Sequence, residues 1–331
     1  MKSLILILTA TIASAQTCDR ACLENFVDLY MEALIAHKPA QLAMAPRVKN
    51  TEDGVRLDPG DGFWRTAMGK GSYRLFNTDA ETGQVVFMGT MREVPNLSVI
   101  VMIRLKVVNK QIAEIENFVV RDAAAAKAFE DRGRPAELFT TPVAQRATRA
   151  ALIQTANSYF TGLQRNDGKV TYNFTADCDR YQNGTQTTNR TTPLPAPPPA
   201  GRGAVAPKPD PILESVLRMS CLDQFKSGYY NFATRVRDRR IVAVDRERGL
   251  VTAIFALDQA SGKYRSFKMT DGTQVTAGPA KPETLAAAET FKIEGGKIRR
   301  IEAIQMTVPY GMITGWSSWE DGMSDKVQDI K

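Results

Sequence analysis

Few side chains in this 331-residue chain are of a type that does chemistry unaided, and none sits in a familiar catalytic spacing. The single histidine, His37, closes a helical pattern. An imidazole there can serve as a base near neutral pH, but it also suits the last carbonyls and the dipole of a helix. One histidine rules out a multi-histidine metal site, and without Cys-x-x-Cys a cysteine metal site is the weaker reading of the four cysteines. No Gly-x-Ser-x-Gly, phosphate loop, His-Glu-x-x-His or dinucleotide fingerprint occurs, so no metal and no cofactor is expected.

Carboxylates beside aromatic or basic groups are the remaining candidates. Asp61, Trp64 and Arg65 fall together ahead of Tyr73, an apolar wall beside one proton-moving group. The plainer reading is a turn aspartate and a core tryptophan. Glu116 and Glu302 occupy equivalent places on two similar strands. On a concave sheet face either could have its pKa raised by burial, whereas a cross-strand ion pair with Arg104 or an arginine of 235–240 would make it structural. Asp179, Arg180, Tyr181 and Asn183, with Tyr229, Tyr230 and Arg235, form the richest polar–aromatic set. It could orient an oxygen-rich ligand, or simply decorate a sheet. The candidates are therefore Asp61, Glu116, Asp179 and Glu302 for catalysis, and Trp64, Tyr73, Arg180, Tyr181, Tyr229 and Arg235 for binding.

The elements that must hold these residues come twice. Residues 45–54 are echoed by 175–184, 81–86 by 247–252, and 110–116 by 297–302, in the same order in both halves. Leu23, Phe26, Val27, Tyr30 and Leu34 recur at helical spacing over 21–37, and Leu152, Ala156, Tyr159, Phe160 and Leu163 repeat that register. Tyr30 matches Tyr159. Asp53-Gly54 and Asn183-Gly184 supply tight turns. Strands follow over 84–91, 97–108 and 112–120, and over 241–244, 250–257, 263–269, 290–294 and 298–308. Helices followed by antiparallel strands make an α+β pattern.

The expected order is a signal peptide at 1–15, a first unit at 16–122, a linker with a helix at 123–145, a second unit at 146–310 and a tail at 311–331. The second unit holds an insert at 191–211 with eight prolines, unsuited to a core helix or strand. Trp316 and Trp319 in the tail are expected to pack back on the body.

Hydrophobic residues make up 43% and charged residues 24%, both globular values. Residues 4–12 are an apolar run too short to span a bilayer, and Ala13-Ser14-Ala15 is a small-x-small cleavage pattern. A secreted or periplasmic protein, with no membrane partner after cleavage, is expected. Its four cysteines then read as two disulfides. Of the three possible pairings the local one, Cys18–Cys22 with Cys178–Cys221, is the simplest. The net charge is +7, with basic clusters at 235–248 and 297–300 interrupted by acids. That reads as a solvated face or an anion site, and no nucleic-acid motif accompanies it.

One amphipathic helix, a turn and a sheet ending in Lys-Ile-x-x-Ile-Glu resembles the nuclear-transport-factor-2-like (SnoaL-like) superfamily. Cys18-Asp19-Arg20-Ala21-Cys22-Leu23, Thr51-Glu52-Asp53-Gly54 and Gly60-Asp61-Gly62-Phe63-Trp64 resemble a secreted tandem-domain family of unknown function found in bacteria and fungi. The resemblance implies two tandem cone-shaped units, each with N-terminal helices packed on a curved antiparallel sheet. It also implies that the units meet sheet to sheet, as an intramolecular pseudo-dimer. The superfamily holds cofactorless lyases, isomerases and hydrolases, some using a His–Asp pair, and also binding and assembly modules. Two readings follow: acid–base catalysis on a small organic or carbohydrate-derived molecule, or small-ligand binding and assembly without turnover. Buried ionisable groups around an open cavity favour the first reading and a cavity filled with apolar side chains the second. The enzyme reading does not survive if Asp61, Glu116, Asp179 and Glu302 all prove exposed or fully paired.

Overall fold

The structure, a computed structural model, describes residues 18–193 and 210–331. The expected signal peptide and most of the proline-rich insert lie outside the described residues. The first half runs α1 (Arg20–Ile35), β1 (Met44–Glu52), β2 (Val55–Arg56), β3 (Ala67–Asp79), β4 (Gln84–Glu93), β5 (Leu97–Val108) and β6 (Gln111–Val120). A connecting helix, α2 (Ala123–Arg132), follows. The second half runs α3 (Arg149–Arg165), β7 (Phe174–Gln182), β8 (Thr185–Gln186), α4 (Pro211–Arg218), α5 (Cys221–Lys226), β9 (Arg235–Asp245), β10 (Leu250–Gln259), β11 (Ser266–Lys268), β12 (Gln274–Thr276), β13 (Glu283–Glu294) and β14 (Lys297–Pro309). The tail adds α6 (Trp319–Gly322) and β15 (Val327–Asp329).

The two halves share one topology. The first sheet is ordered β2-β1-β6-β5-β4-β3, the second β15-β9-β10-β13-β14-β7-β8. In each, the unit's first strand lies parallel to its last, β1 to β6 and β7 to β14; the tail strand β15 also runs parallel to β9, and the remaining pairs are antiparallel. Thr51 stands opposite Glu116, and Tyr181 opposite Glu302. The turns Asp53-Gly54 and Asn183-Gly184 both have positive φ at both residues, which Asp, Asn and Gly tolerate best. This is the α+β architecture expected from the sequence.

Strand alternation sorts side chains onto two faces. In the first sheet Val85, Phe87, Val101, Ile103 and Leu105 join Leu23, Val27 and Tyr30 of α1 in one core. In the second, Val251, Phe255, Ala287 and Phe291 pack on Leu152, Ala156, Tyr159 and Phe160 of α3. The opposite faces form a third core together: Val86, Met88, Ile100, Met102 and Phe118 with Val242, Ile254, Ala288 and Ile304. Polar side chains also cross there. Asn77 donates to Ala243 O and Thr252 Oγ1, and Arg240 pairs with Glu116 at 2.6 Å.

Capping residues explain the helix limits. Asp19, Asp122 and Thr148 accept from first-turn backbone N–H groups of α1, α2 and α3. The helix predicted over 21–37 ends at Ile35, with His37 already left-handed and exposed, its ring bonded to Trp64 O. The strand predicted over 290–294 is longer, beginning at Glu283. Two helices, α4 and α5, were not expected. In the tail, Trp316 does fold back: its Nε1 donates to Thr51 Oγ1 at 2.9 Å and its ring lies under Lys49 and Arg104. Trp319 does not, and is 63% exposed. The chain end pairs β15 beside β9, while Ile330 O accepts from Gln84 of the first sheet.

Candidate functional site

The four carboxylates singled out in the sequence are all exposed or held in ion pairs, so an enzyme reading built on them does not survive. Asp61 is at the surface, 2.8 Å from Arg65, whose guanidinium keeps it below the ordinary carboxylate range. Trp64 is buried against Tyr30 on the helix side of the first sheet, and Tyr73 against Phe129 on the other side. The expected Asp61–Trp64–Tyr73 pocket is therefore not assembled: alternate faces of a sheet cannot line one cavity. Glu116 is buried but accepts from Arg104 and twice from Arg240. Burial alone would raise its pKa, but Arg240 and Arg104 hold it below the usual range. Glu302 takes a bidentate pair from Arg132 at 3.0 and 2.8 Å, and burial still holds its carboxyl above the ordinary value against the pull of Arg132 and Arg300. Asp179 accepts from Arg300, Gln186 and Asn189. Carboxylates engaged this way anchor elements, and their lone pairs are occupied.

Among the binding candidates the structure separates Arg180 from the rest. Tyr181 is clamped between the guanidiniums of Arg132 and Arg300, its ring 4.4 and 4.1 Å away. Tyr229 is buried in a satellite cluster with Val216 and Met269. Arg235 pairs with Asp258 at 2.6 Å. Arg180, only 4% exposed, lines a cavity of about 170 Å³ on the helix side of the second sheet.

Leu163, Phe255, Leu257, Leu285 and Ala287 make the apolar walls of this cavity, and Gln182, Gln259 and Gln305 add amides. One acid lines it: Glu289 of β13. Glu289 is 2% exposed, its Oε1 accepts from the Tyr159 hydroxyl at 3.3 Å, and its Oε2 has no partner among the described residues. Burial pushes its carboxyl up to about 7, against the opposing pull of Arg180 and the Tyr159 hydrogen bond. The Tyr159 hydroxyl is itself raised by burial, so it stays protonated and donates.

A chain of fixed contacts positions Arg180. Its Nη1 donates to the Tyr230 hydroxyl at 3.1 Å, and that hydroxyl donates to Gln224 Oε1 at 2.8 Å. Gln224 in turn donates to Thr187 O and Val216 O. Asn166, the left-handed cap of α3, accepts from Tyr230 N at 2.8 Å. The Cys178–Cys221 disulfide ties β7, which carries Arg180, to α5, which carries Gln224. Both expected disulfides are present.

Strand register shows what the first half has at the same places. Arg104 stands opposite Glu116 as Thr290 stands opposite Glu302, so Ile103 is the counterpart of Glu289. By the same count Val101 matches Ala287, Phe87 matches Ala253, and Asn50 matches Arg180. Ile103, Val101 and Phe87 fill the first interior with hydrocarbon. Small residues and two ionisable groups leave the second one open. Glu289 is the residue that sequence reading missed; the signal was an acid placed where the repeat has an isoleucine.

Among the described residues no group of His, Cys, Asp and Glu could hold a metal, and no helix is long and apolar enough to cross a membrane. Chemically, the arrangement offers one carboxyl able to hold or release a proton near pH 7 and one fixed cation, in an apolar recess.

A family model described as a domain of unknown function, DUF8021, matches residues 145–305, the span that contains every residue lining the cavity. No curated protein matches the chain. Among solved structures, AclR from Streptomyces galilaeus is similar over 48% of this chain and 91% of its own, at 10% identity and a TM-score of 0.27. An NTF2-like protein from Anabaena variabilis is similar over 51% of this chain and 97% of its own, at 13% identity and a TM-score of 0.23.

Proposed function

We propose that the second unit is a cofactorless acid–base site for a small organic molecule and that the first unit is its scaffold. The chain would be exported, with the two units acting as an intramolecular pair. The observation that carries the reading is Glu289: a buried carboxyl with an unpartnered oxygen, facing a cavity that also holds Arg180. A group titrating near 7 is populated in both forms at neutral pH, as a general acid or base needs. Arg180 would hold an oxygen on which charge develops, while Glu289 moves a proton at the neighbouring carbon or oxygen. Lyase or isomerase chemistry beside a carbonyl fits these two groups. The packed interior of the first unit supports the scaffold role given to it.

The test is a turnover screen of small carbonyl compounds, lactones, aromatics and sugar derivatives, followed by Glu289→Gln. Loss of about 10²-fold or more in kcat is expected, the usual contribution of a general acid or base. Full turnover in Glu289→Gln would remove the assignment. Asp61→Asn should leave the rate unchanged.

A further inference from the structure

We propose that the cavity's ligand is a small, mostly apolar monoanion (a carboxylate, enolate or phenolate) that sits on Arg180 and is taken up together with one proton, which goes to Glu289. This rests on the cavity being the functional site, and adds what it accepts.

The first argument is an unspent cation. The buried guanidiniums of Arg104, Arg237 and Arg240 each pair with a carboxylate. Arg239 lacks one, but its three nitrogens all reach protein acceptors. Arg180 has no carboxylate within 4 Å among the described residues and only the Tyr230 hydroxyl on Nη1; its Nε, like that of Arg240, has no hydrogen-bond partner there. A buried guanidinium is favourable only when its donors are satisfied, and an anionic oxygen satisfies them best.

The second argument is charge balance. With Glu289 ionised, Arg180 and Glu289 cancel within the recess. Adding an anion would leave one uncompensated negative charge in an apolar site, which is costly. Protonating Glu289 restores neutrality and turns its carboxyl into a donor toward the ligand. The groups facing it do not offer another route. Tyr159 from α3 stays protonated, and Arg180 from β7 is fixed as a cation. Tyr230 is committed to Arg180 and Gln224, and Gln182, Gln259 and Gln305 do not titrate. The balance is ligand anion plus one solvent proton plus free site, giving a complex with Glu289 protonated.

The third argument is size and lining. A recess of about 170 Å³ walled by Leu163, Phe255, Leu257 and Leu285 suits roughly a single six-membered ring.

The experiment is isothermal titration calorimetry of the full chain between pH 5.5 and 8.5. Benzoate is the probe, with benzamide and methyl benzoate as neutral controls, each in two buffers of different ionisation enthalpy. The expected result is benzoate affinity falling about tenfold per pH unit above neutrality, with uptake approaching one proton. The neutral controls should bind at least about tenfold more weakly. Arg180→Gln should lose benzoate, and Glu289→Gln should bind it without pH dependence. The buffer comparison on the unaltered protein decides the proton uptake even where a variant fails to fold. Neutral probes binding as well as benzoate, or benzoate binding without proton uptake, would overturn the proposal and leave the acid–base reading standing. No binding by any probe would count against both.

Discussion

Replacing Glu289 by Gln tests the buried carboxyl without reference to any ligand. The change keeps shape and the Tyr159 contact but removes the titration. An ordinary glutamate value is 4.5, and in the fold this carboxyl titrates at about 7. The folded protein therefore binds a proton more tightly than the unfolded chain. Stability attributable to Glu289 is fully present below pH 4.5, falls as pH rises toward 7, and is flat above it. At about 1.4 kcal/mol per tenfold, the fall across that window is about 3 kcal/mol. Chemical denaturation of both proteins from pH 4 to 8 is the assay. Subtracting one curve from the other removes titrations they share, including Asp53, which burial pushes up to about 6. Glu289→Gln should gain about 3 kcal/mol on the unaltered protein across the range. A flat difference curve would show that Glu289 is solvated or paired, and would refute the reasoning.

The Cys178–Cys221 bridge closes a span of 43 residues, so Cys178→Ser with Cys221→Ser should cost about 4 kcal/mol in the chain-entropy account. Cys18–Cys22 spans only 4, and its removal should cost about half as much, read from unfolding under non-reducing conditions. Glu116→Ala leaves buried Arg240 with only Asp238 at 3.6 Å, while Arg104 keeps Glu114, and should lose about 3 kcal/mol by denaturation, whereas Asp61→Ala should match the unaltered protein. Ala287→Val, which installs the residue found at the first unit's counterpart, should narrow the cavity and abolish ligand binding in a thermal-shift assay while leaving the melting temperature unchanged or higher.

The repeat was legible because framework residues obey local rules. Helical spacing on α1 and α3, the Asp53-Gly54 and Asn183-Gly184 turns and the final Ile-Glu strands follow from backbone geometry and periodicity. Arg180 stands out in the sequence as a cation among aromatics, and it is the one binding candidate that lines the cavity. Glu289 does not stand out, because Leu285-Ala286-Ala287-Ala288 reads poorly as a strand and the strand pattern starts one residue after it. Alanines have low strand preference, yet Ala287 leaves room for the cavity on one face while Ala286 and Ala288 pack into the core on the other. Helix α5 carries a readable signal, Ser220 three residues before Asp223: the Ser220 hydroxyl accepts from Asp223 N and donates to Asp223 Oδ2. What sequence cannot express is which face of a sheet a strand turns inward. Tyr73 on β3 turns to the far face of the sheet, whereas Asp61 and Trp64 belong to the short helical turn before that strand, so three residues close in sequence lie in three different environments.

The matched register of the two sheets makes the molecule its own reference sample. A fluorine or nitrile reporter at Val99 and another at Leu285, its counterpart in β13, would sit at equivalent register positions, under the same kind of helix, in one polypeptide. Temperature, salt and bulk solvent would move both signals together. Only an occupant of the open recess would move one of them, so binding could be read as a difference within a single spectrum, with no second protein to prepare.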